Sequence, residues 1–307
     1  MIRESKGTAI AFLVLCAFLW SSAGVLIKLV DLHPFAIAGF RSIVGFAVMR
    51  VFIRKPRFTF SFDQVMAAVS YSATMILFIL ANKMTASANA VLLQYTEPVF
   101  IVLLGRYLLP GEKTSPLDWL VIAGVLGGMV LFFFDELDVR ANAGNALAVL
   151  SGITFALTAI FMRRQKDGRP ADSFMLAHLL TFVITLPFII GGGIPSPVSI
   201  GGLALLGVFQ MGIPSILYSK GLAGVTAISA ALITMLEPVL NPVWVALCIG
   251  EYPSPRSIAG GAIILGCVTV RTVIKARQKK IREESEHGYS EDIYHAEAGC
   301  ASAQNCR

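Results

Sequence analysis

The chain is a succession of long apolar runs separated by short polar connections, and this pattern leaves few possible folds. A helix rises about 1.5 Å per residue, so about 20 apolar residues cross the hydrocarbon core of a bilayer. Only 14% of the residues are charged, against about 25% in soluble domains. The chain is therefore predicted to be an all-α integral membrane protein with ten transmembrane helices. The predicted spans are 8–30, 35–53, 64–82, 86–109, 117–134, 145–163, 173–194, 200–220, 225–249 and 256–274.

The distribution of Lys and Arg between the runs predicts the orientation of the chain. The connections on one side carry most of the basic residues, including the clusters at 54–57 and 163–169, whereas only Lys83, Arg140 and Arg256 fall on the other side. Because cytoplasmic loops of membrane proteins are rich in Lys and Arg, both termini are predicted to be cytoplasmic, in a cell (inner) membrane. The charges do not gather on one face, so membrane lipids are the expected partner and nucleic acid is not.

The second half of the chain repeats the first. The stretch LLQYTEPVF at 92–100 matches LITMLEPVL at 232–240, and GEKTSP at 111–116 matches GEYPSP at 250–255. The repeated unit contains five spans, an odd number, so the second copy is predicted to enter the membrane from the opposite side. Inverted repeats of this kind are typical of secondary transporters, whose substrate site lies near the membrane midplane between the halves.

This repeat predicts three units along the chain. The first five-helix repeat covers 8–134 and the second covers 145–274. The remaining residues, 275–307, form a polar and charged tail that we expect to be disordered in the cytoplasm.

Several short pieces resemble the EamA domain of the drug/metabolite transporter superfamily. They are AFLWSSAGVLIK in the first run, the arginine of FRSIVGF in the second, and EPV followed by GE in both halves. The resemblance covers residues 8–274. It implies a ten-helix inverted-repeat permease, typically an exporter in a bacterial inner membrane, often of amino acids or other small metabolites. One departure is that Phe155 stands where the first copy has Trp20, so the copies differ in this aromatic residue.

A glutamate followed by a proline stands midway along the fourth and ninth runs, as Glu97–Pro98 and Glu237–Pro238. Proline lacks an N–H and frees carbonyls of the preceding turn, so both helices are predicted to kink. A charged side chain near the bilayer centre costs at least about 2.5 kcal/mol, so each glutamate should be protonated, paired or in contact with water. Either the two carboxylates bind a substrate amine or carry protons, or they fix the kinks through hydrogen bonds.

Other polar and aromatic residues within the runs are candidates for the same pathway. They are Trp20, Arg41, Asn89, Gln94, Tyr95, Thr234, Asn241 and Trp244. Amides and hydroxyls of membrane helices often only bond to a neighbouring helix, so packing is the alternative role. Arg41 should either bind a substrate carboxylate, pair with a glutamate, or extend toward the headgroups.

Glycine-rich stretches at 124–128 and 260–266 lie in the fifth and tenth runs. Small residues let helix backbones approach closely, so these stretches predict tight helix packing. A homodimer formed through the fifth and tenth helices is one possible form of it.

The sequence contains no Walker loop, HExxH motif, Ser/His/Asp set or Cys/His metal spacing, so we expect no enzyme, no cofactor and no metal. We predict a secondary active transporter, an exporter of small metabolites such as amino acids or drug-like amines, working by alternating access between two repeats. An uptake permease of the same fold is the alternative, since the sequence gives no direction of transport. A membrane enzyme or a scaffold is a further alternative.

Overall fold

The computed structural model describes residues 5–22, 26, 30–85, 87–134, 142–191, 195–249, 254–274 and 277–278, and no β-strand occurs among them. Their helices, in chain order, are α1 (Lys6–Trp20), α2 (Pro34–Phe52), α3 (Phe62–Met84), α4 (Ser87–Gln94), α5 (Glu97–Leu108), α6 (Pro116–Phe132), α7 (Asn142–Arg164), α8 (Pro170–Ile190), α9 (Pro197–Leu205), a π-helical segment (Leu206–Gly212), α10 (Ile213–Gly224), α11 (Ala227–Thr234), α12 (Leu236–Ile249) and α13 (Pro255–Ile274).

Seven helical stretches of the described residues are long and apolar enough to cross a membrane. They are Pro34–Phe52, Phe62–Ala81, Ala90–Leu108, Asn142–Arg164, Pro170–Ile190, Pro197–Gly224 and Pro255–Ile274, and the shorter apolar stretches are Lys6–Trp20, Pro116–Phe132 and Ala227–Leu240. Each of them overlaps one of the predicted spans. The chain is thus a multi-pass helical membrane protein, while the count of ten spans and their inverted arrangement stay predictions.

Three predicted spans are not single α-helices. The fourth is interrupted between α4 and α5, and the ninth between α11 and α12, so both Glu-Pro sites are breaks rather than gentle kinks. The eighth contains the π-helical segment, which the hydrophobic pattern did not predict because hydropathy carries no information on helix type. Within the first span, α1 ends at Trp20.

The Ser-Pro pair occurs in both halves because it starts the last helix of each half. α6 begins at Pro116 after Ser115, and α13 begins at Pro255 after Ser254. Proline suits the first helical position, where an N–H would have no partner in the helix. The Ser254 hydroxyl accepts a hydrogen bond of 3.2 Å from the Ser257 N–H, which satisfies a free donor of the first turn.

The helices of the first half pack mainly on helices of the second half. α3 lies along α7, α2 along α8, and α1 along α10. Small polar side chains join the first of these pairs, since the Thr74 and Thr154 hydroxyls are 2.8 Å apart. The buried core therefore lies where the two halves meet.

The connections 53–61, 109–115, 165–169 and 225–226 meet at one end of the molecule, which we call the basic end. Arg169 Nη1 donates to the Lys55 carbonyl at 3.0 Å, and the Arg57 N–H donates to Asp172 Oδ2 at 3.0 Å. These are connections that the charge pattern assigns to the cytoplasm. Their mutual contacts place them on a common side, as that assignment requires.

Glu112, the glutamate of GEKTSP, links several segments at the basic end. Its Oε1 forms an ion pair of 2.5 Å with Arg163 Nε, and its Oε2 accepts from the Ala227 N–H at 2.9 Å, at the start of α11. Arg163 also donates to the carbonyls of Leu222 and Ala223, at 2.9 and 2.6 Å. One carboxylate thus links α7 and the connection between α10 and α11.

A second ion pair, which is buried, joins α6 to α13. Arg271 contacts Asp118 Oδ1 through Nε at 2.9 Å and Nη2 at 2.8 Å, and both side chains are nearly inaccessible to solvent. Asp118 Oδ2 accepts from the backbone N–H and the hydroxyl of Ser115, both at 2.7 Å. Every oxygen of this carboxylate has a partner.

The predicted glycine stretches of α6 and α13 face each other within the chain. A Cβ on Gly260 would lie 2.5 Å from the Gly128 carbonyl oxygen, closer than real Cβ contacts allow. These two glycines therefore serve close packing inside the chain. The homodimer stays a prediction, and it would have to use other faces of these helices, such as those of Gly127 and Gly266, where a Cβ would meet nothing within 4 Å.

Candidate functional site

The site begins at the break between α4 and α5. The Pro98 ring prevents the regular hydrogen bonds of the preceding turn, as the sequence predicts. Thr96 satisfies the freed Leu93 carbonyl, which accepts from the Thr96 hydroxyl at 2.6 Å and from its N–H at 3.3 Å. The adjacent threonine thus satisfies the carbonyl at the break, so Glu97 is not needed as a hydrogen-bond partner there.

α7 covers this break with its smallest residues. A Cβ on Gly152 would lie 2.7 Å from the Gln94 carbonyl oxygen, so only glycine permits the approach of α7 to the broken backbone. Gln94 Nε2 donates to the Ser151 hydroxyl at 2.9 Å. Gln94, a predicted pathway residue, therefore makes a packing contact between the two halves.

Glu97 is fully buried at the first position of α5, and neither of its carboxylate oxygens has a hydrogen-bond partner. The N-terminus of a helix favours negative charge, so α5 offers some stabilisation to a carboxylate here. An unpaired buried acid is costly in a protein interior. The carboxylate is therefore available to a proton or a cationic ligand.

Glu237 lies at the equivalent break of the ninth span and is linked to the first break. Tyr95 donates its hydroxyl to Glu237 Oε2 at 2.5 Å, joining residues 142 positions apart. The Thr234 hydroxyl donates to carbonyls of its own helix, those of Ala230 and Ala231. The two breaks thus meet through Tyr95, while Thr234 has a local structural contact.

Five rings of the same hydrophobic core pack against one another, and we call them the aromatic cluster: Trp20, Tyr71, Phe155, Phe174 and Tyr218. The Trp20 ring lies 5.6 Å from Tyr218 and 6.3 Å from Phe155, and the Phe174 ring lies 5.8 Å from Tyr218 and 4.7 Å from Tyr71. Trp20 and Phe155, which occupy matching positions of the two repeats, therefore meet at the interface despite their different chemistry.

The Tyr218 hydroxyl is buried and has no hydrogen-bond partner. Tyr218 and Tyr71 are parts of the site that the sequence analysis missed. The signal available was a tyrosine with neighbouring serines inside an apolar run, as in SILYSKG at 215–221.

The two predicted tryptophans make hydrogen bonds at the C-terminal end of α1. Trp20 Nε1 donates to the Gln210 carbonyl of the π-helical segment at 3.0 Å, and Trp244 Nε1 donates to the Ser21 hydroxyl at 2.7 Å. Beside them lies an apolar cavity of about 310 Å³. Its lining residues are Phe18, Leu19, Ser22, Leu26, Leu205, Phe209 and Trp244. Such a volume is in the range that holds a small organic ligand.

Arg41 points into the protein rather than toward the headgroups. It is 9% exposed, its Nη2 contacts Met75 Sδ at 3.6 Å, and its Nε has no partner. In the part of the chain that the structure describes, no carboxylate forms an ion pair with it. Neither the headgroup contact nor the pair with a glutamate is therefore found.

Two predicted pathway residues, Asn89 and Asn241, have side chains outside the described set. Among the described residues, no group of three or more His, Cys, Asp or Glu side chains could hold a metal ion.

Interrupted helices near the contact between two halves of a chain are found at the binding sites of membrane transporters. Comparison with known proteins gives the family. The model of the EamA-like transporter family matches residues 7–134 and again 142–272, and the chain belongs to this family.

Two of the relatives that cover most of this chain are transporters by name. The uncharacterized transporter YwfM of Bacillus subtilis is 24% identical over 87% of this chain and 95% of its own length. The pseudopaline exporter CntI of Pseudomonas aeruginosa is 22% identical over 88% of this chain and 98% of its own length. A solved crystal structure, 18% identical, shares the fold with a TM-score of 0.77 over 90% of this chain and 99% of that one.

Proposed function

We propose that this protein is a secondary active exporter of small, amine-bearing metabolites in the inner membrane, with both termini in the cytoplasm. The observation that carries this proposal is Glu97, a fully buried carboxylate without a partner, beside a helix break at the interface of the two halves. Glu237, which has Tyr95 as a partner, is the second acidic group of the same region. Both are suited to bind an ammonium group or a proton.

The packing of the halves supports alternating access between two inverted five-helix repeats. If the two halves trade places span by span, the contact of α3 with α7 takes the position of the contact of α1 with α10. The contact of α2 with α8 keeps its own position. Such an interface can in principle adopt two equivalent arrangements. At the basic end, the ion pair of Glu112 with Arg163 joins the two halves.

The direction of transport is proposed from a relative. CntI is named an exporter, and it aligns with nearly the whole of this chain. Export requires a site that loads from the cytoplasm, so the ion pair of Glu112 with Arg163 should open during each cycle.

The proposal is tested by counterflow in proteoliposomes. The panel consists of the standard amino acids, their decarboxylated amines and nucleosides. Glu97→Gln is expected to lower the transport rate about tenfold or more, because one lost charged contact of about 1.5–3 kcal/mol corresponds to at least that factor.

The same variant controls for folding. Since Glu97 has no partner, Glu97→Gln should unfold at a temperature no lower than that of the wild type. Wild-type protein that moves no solute of the panel, or a Glu97→Gln variant with full transport per molecule, would refute the proposal.

A further inference from the structure

We propose that the apolar cavity beside Trp244 is a lipid-binding site that takes up one acyl chain of a membrane phospholipid. This inference goes beyond the proposed function and does not depend on it. It gives Trp244, a predicted pathway residue, a role other than contact with the transported molecule.

The cavity wall favours a ligand without polar groups. Phe18, Leu19, Leu26, Leu205 and Phe209 contribute only hydrocarbon side chains to it. Cavities with such walls take up apolar molecules rather than water, because water finds no hydrogen-bond partner in them. The volume of about 310 Å³ is at the lower end of the range of small-ligand sites.

The polar groups at the cavity are already engaged within the protein. The Ser22 hydroxyl donates to the Leu19 carbonyl and accepts from Gln210 Nε2, both at 2.8 Å. Trp244 Nε1 donates to the Ser21 hydroxyl at 2.7 Å. An ammonium or carboxylate group in the cavity would lose its hydration without gaining a partner from the lining side chains, which is costly. The cavity therefore does not suit the amine-bearing cargo of the proposed function.

The cavity lies at the depth of the lipid hydrocarbon. The first turns of α1 lie near the basic end, since a Cβ on Gly224, which precedes the connection 225–226, would lie 2.5 Å from the Ala9 Cβ. Phe18 follows Ala9 by nine residues, about 14 Å along a helix. The hydrocarbon core is about 30 Å thick, so Phe18 lies near its middle and not at a membrane surface.

The cavity is continuous with the surface that faces lipid. Three of its lining side chains, Phe18, Leu205 and Phe209, are exposed. Leu15, which lies one turn before Phe18 and Leu19 on α1, is exposed as well. Lipid tails are as apolar as leucine and surround such surfaces in a bilayer. An acyl chain thus reaches the cavity without leaving the hydrocarbon layer.

The walls of the cavity come from both halves of the chain. Phe18 belongs to α1, Leu205 to α9, Phe209 to the π-helical segment and Trp244 to α12. Helices associate in lipid largely through van der Waals packing. A bound acyl chain would therefore contact both halves where they meet.

The test uses a phosphatidylcholine with brominated acyl chains, because bromine quenches tryptophan fluorescence at close range. Protein in detergent micelles is titrated with this lipid. The Trp119→Phe variant retains Trp244 and the buried Trp20, and its fluorescence is expected to fall along a curve that saturates at one lipid per protein. The Trp244→Phe variant retains Trp119, which is exposed on α6, and should show only quenching that keeps rising with the amount of lipid.

A filled cavity provides the matched control. In the Trp119→Phe background, Leu19→Phe with Leu205→Phe adds two rings to the cavity wall and should remove the saturable quenching. Leu120→Phe with Leu265→Phe makes the same change at two exposed leucines outside the cavity and should leave it unaltered. Thermal unfolding checks that both variants are folded. If the filled variant does not fold, the comparison of the two tryptophan variants decides.

Three outcomes would overturn the inference. Quenching that does not saturate, or that is the same in both tryptophan variants, would report only the lipid around the protein. A brominated free fatty acid that saturates the site while the phospholipid does not would identify a different ligand. Displacement of the bound lipid by an amine or an amino acid would assign the cavity to the transported molecule.

Discussion

Glu112 and Glu97 belong to the same half of the chain, but their surroundings are opposite. At the basic end, Glu112 holds Arg163 with one oxygen and the Ala227 N–H with the other. In the interior, both oxygens of Glu97 are without a partner. Glu112, which joins connections, thus has a partner for each carboxylate oxygen, whereas Glu97 at the helix break has none.

The arginines show the same contrast. Arg271 and Arg41 are 3% and 9% exposed. Arg271 forms an ion pair with Asp118 and donates to the Ser229 hydroxyl at 3.1 Å, whereas Arg41 reaches only the sulfur of Met75. Burial alone therefore does not separate the two arginines, whereas the presence of a partner does. We expect substitutions of paired groups to lower stability and substitutions of unpaired groups to lower transport.

The largest effect is expected for Arg271→Met. This change leaves Asp118 buried without its counter-ion, and breaking a buried pair in this way costs about 3–5 kcal/mol. Equilibrium unfolding in detergent micelles measures the loss of stability. The double variant Asp118→Asn with Arg271→Met should recover much of it, because no isolated charge is left.

A partly exposed ion pair provides the matched control. Arg164 pairs with Asp63 at 2.8 Å, with the side chains 37% and 26% exposed. Arg164→Met is expected to cost about 0–1 kcal/mol, as exposed pairs do. If Arg271→Met proves as stable as Arg164→Met, the buried pair does not hold α6 to α13.

A smaller loss is expected for Gly152→Ala, which tests how the break positions Glu97. The added methyl would lie 2.7 Å from the Gln94 carbonyl oxygen, so α7 has to move, at a cost of about 1–3 kcal/mol. Transport should fall as well, because Glu97 follows the break directly. Both quantities can be measured on one preparation, by thermal unfolding and by counterflow.

Gly127→Ala is the control for this change, since nothing lies within 4 Å of a Cβ there. Alanine favours a helix over glycine, so this variant should be as stable as the wild type or more so. Equal behaviour of the two alanine variants would show that α7 does not depend on glycine at the break.

The sequence predicted the structural features that depend on local residue patterns or on overall composition. Runs of apolar residues predicted the membrane-spanning helices, and Pro98 and Pro238 predicted the places where two of them are interrupted. The EamA resemblance is confirmed by the family match over both repeats. These features depend on residues that are close together in the chain or on its overall apolarity.

The partners of the site residues depend on tertiary structure, and the sequence left them open. Nothing in the pattern distinguishes Tyr95, which binds Glu237, from Gln94, which binds Ser151. For Arg41 the sequence left three possible partners: a substrate carboxylate, a glutamate and the lipid headgroups. Only the packing shows that Arg41 is buried and that no described glutamate pairs with it. The contact of Trp20 with Phe155 likewise requires the two halves to be assembled.

The smallest effect is expected for Tyr95→Phe, which compares the two glutamates directly. Glu237 has a hydroxyl partner and Glu97 has none, so removing the Tyr95 hydroxyl gives Glu237 the surroundings of Glu97. The loss of stability should be about 0.6–1.7 kcal/mol, the range for hydrogen bonds between membrane helices. Tyr218→Phe removes a buried hydroxyl that has no partner and should cost nothing in unfolding experiments. If Tyr218→Phe destabilises the protein as much as Tyr95→Phe, the difference between paired and unpaired groups does not set their energetic roles, and the assignment of Glu97 to ligand binding loses its physical basis.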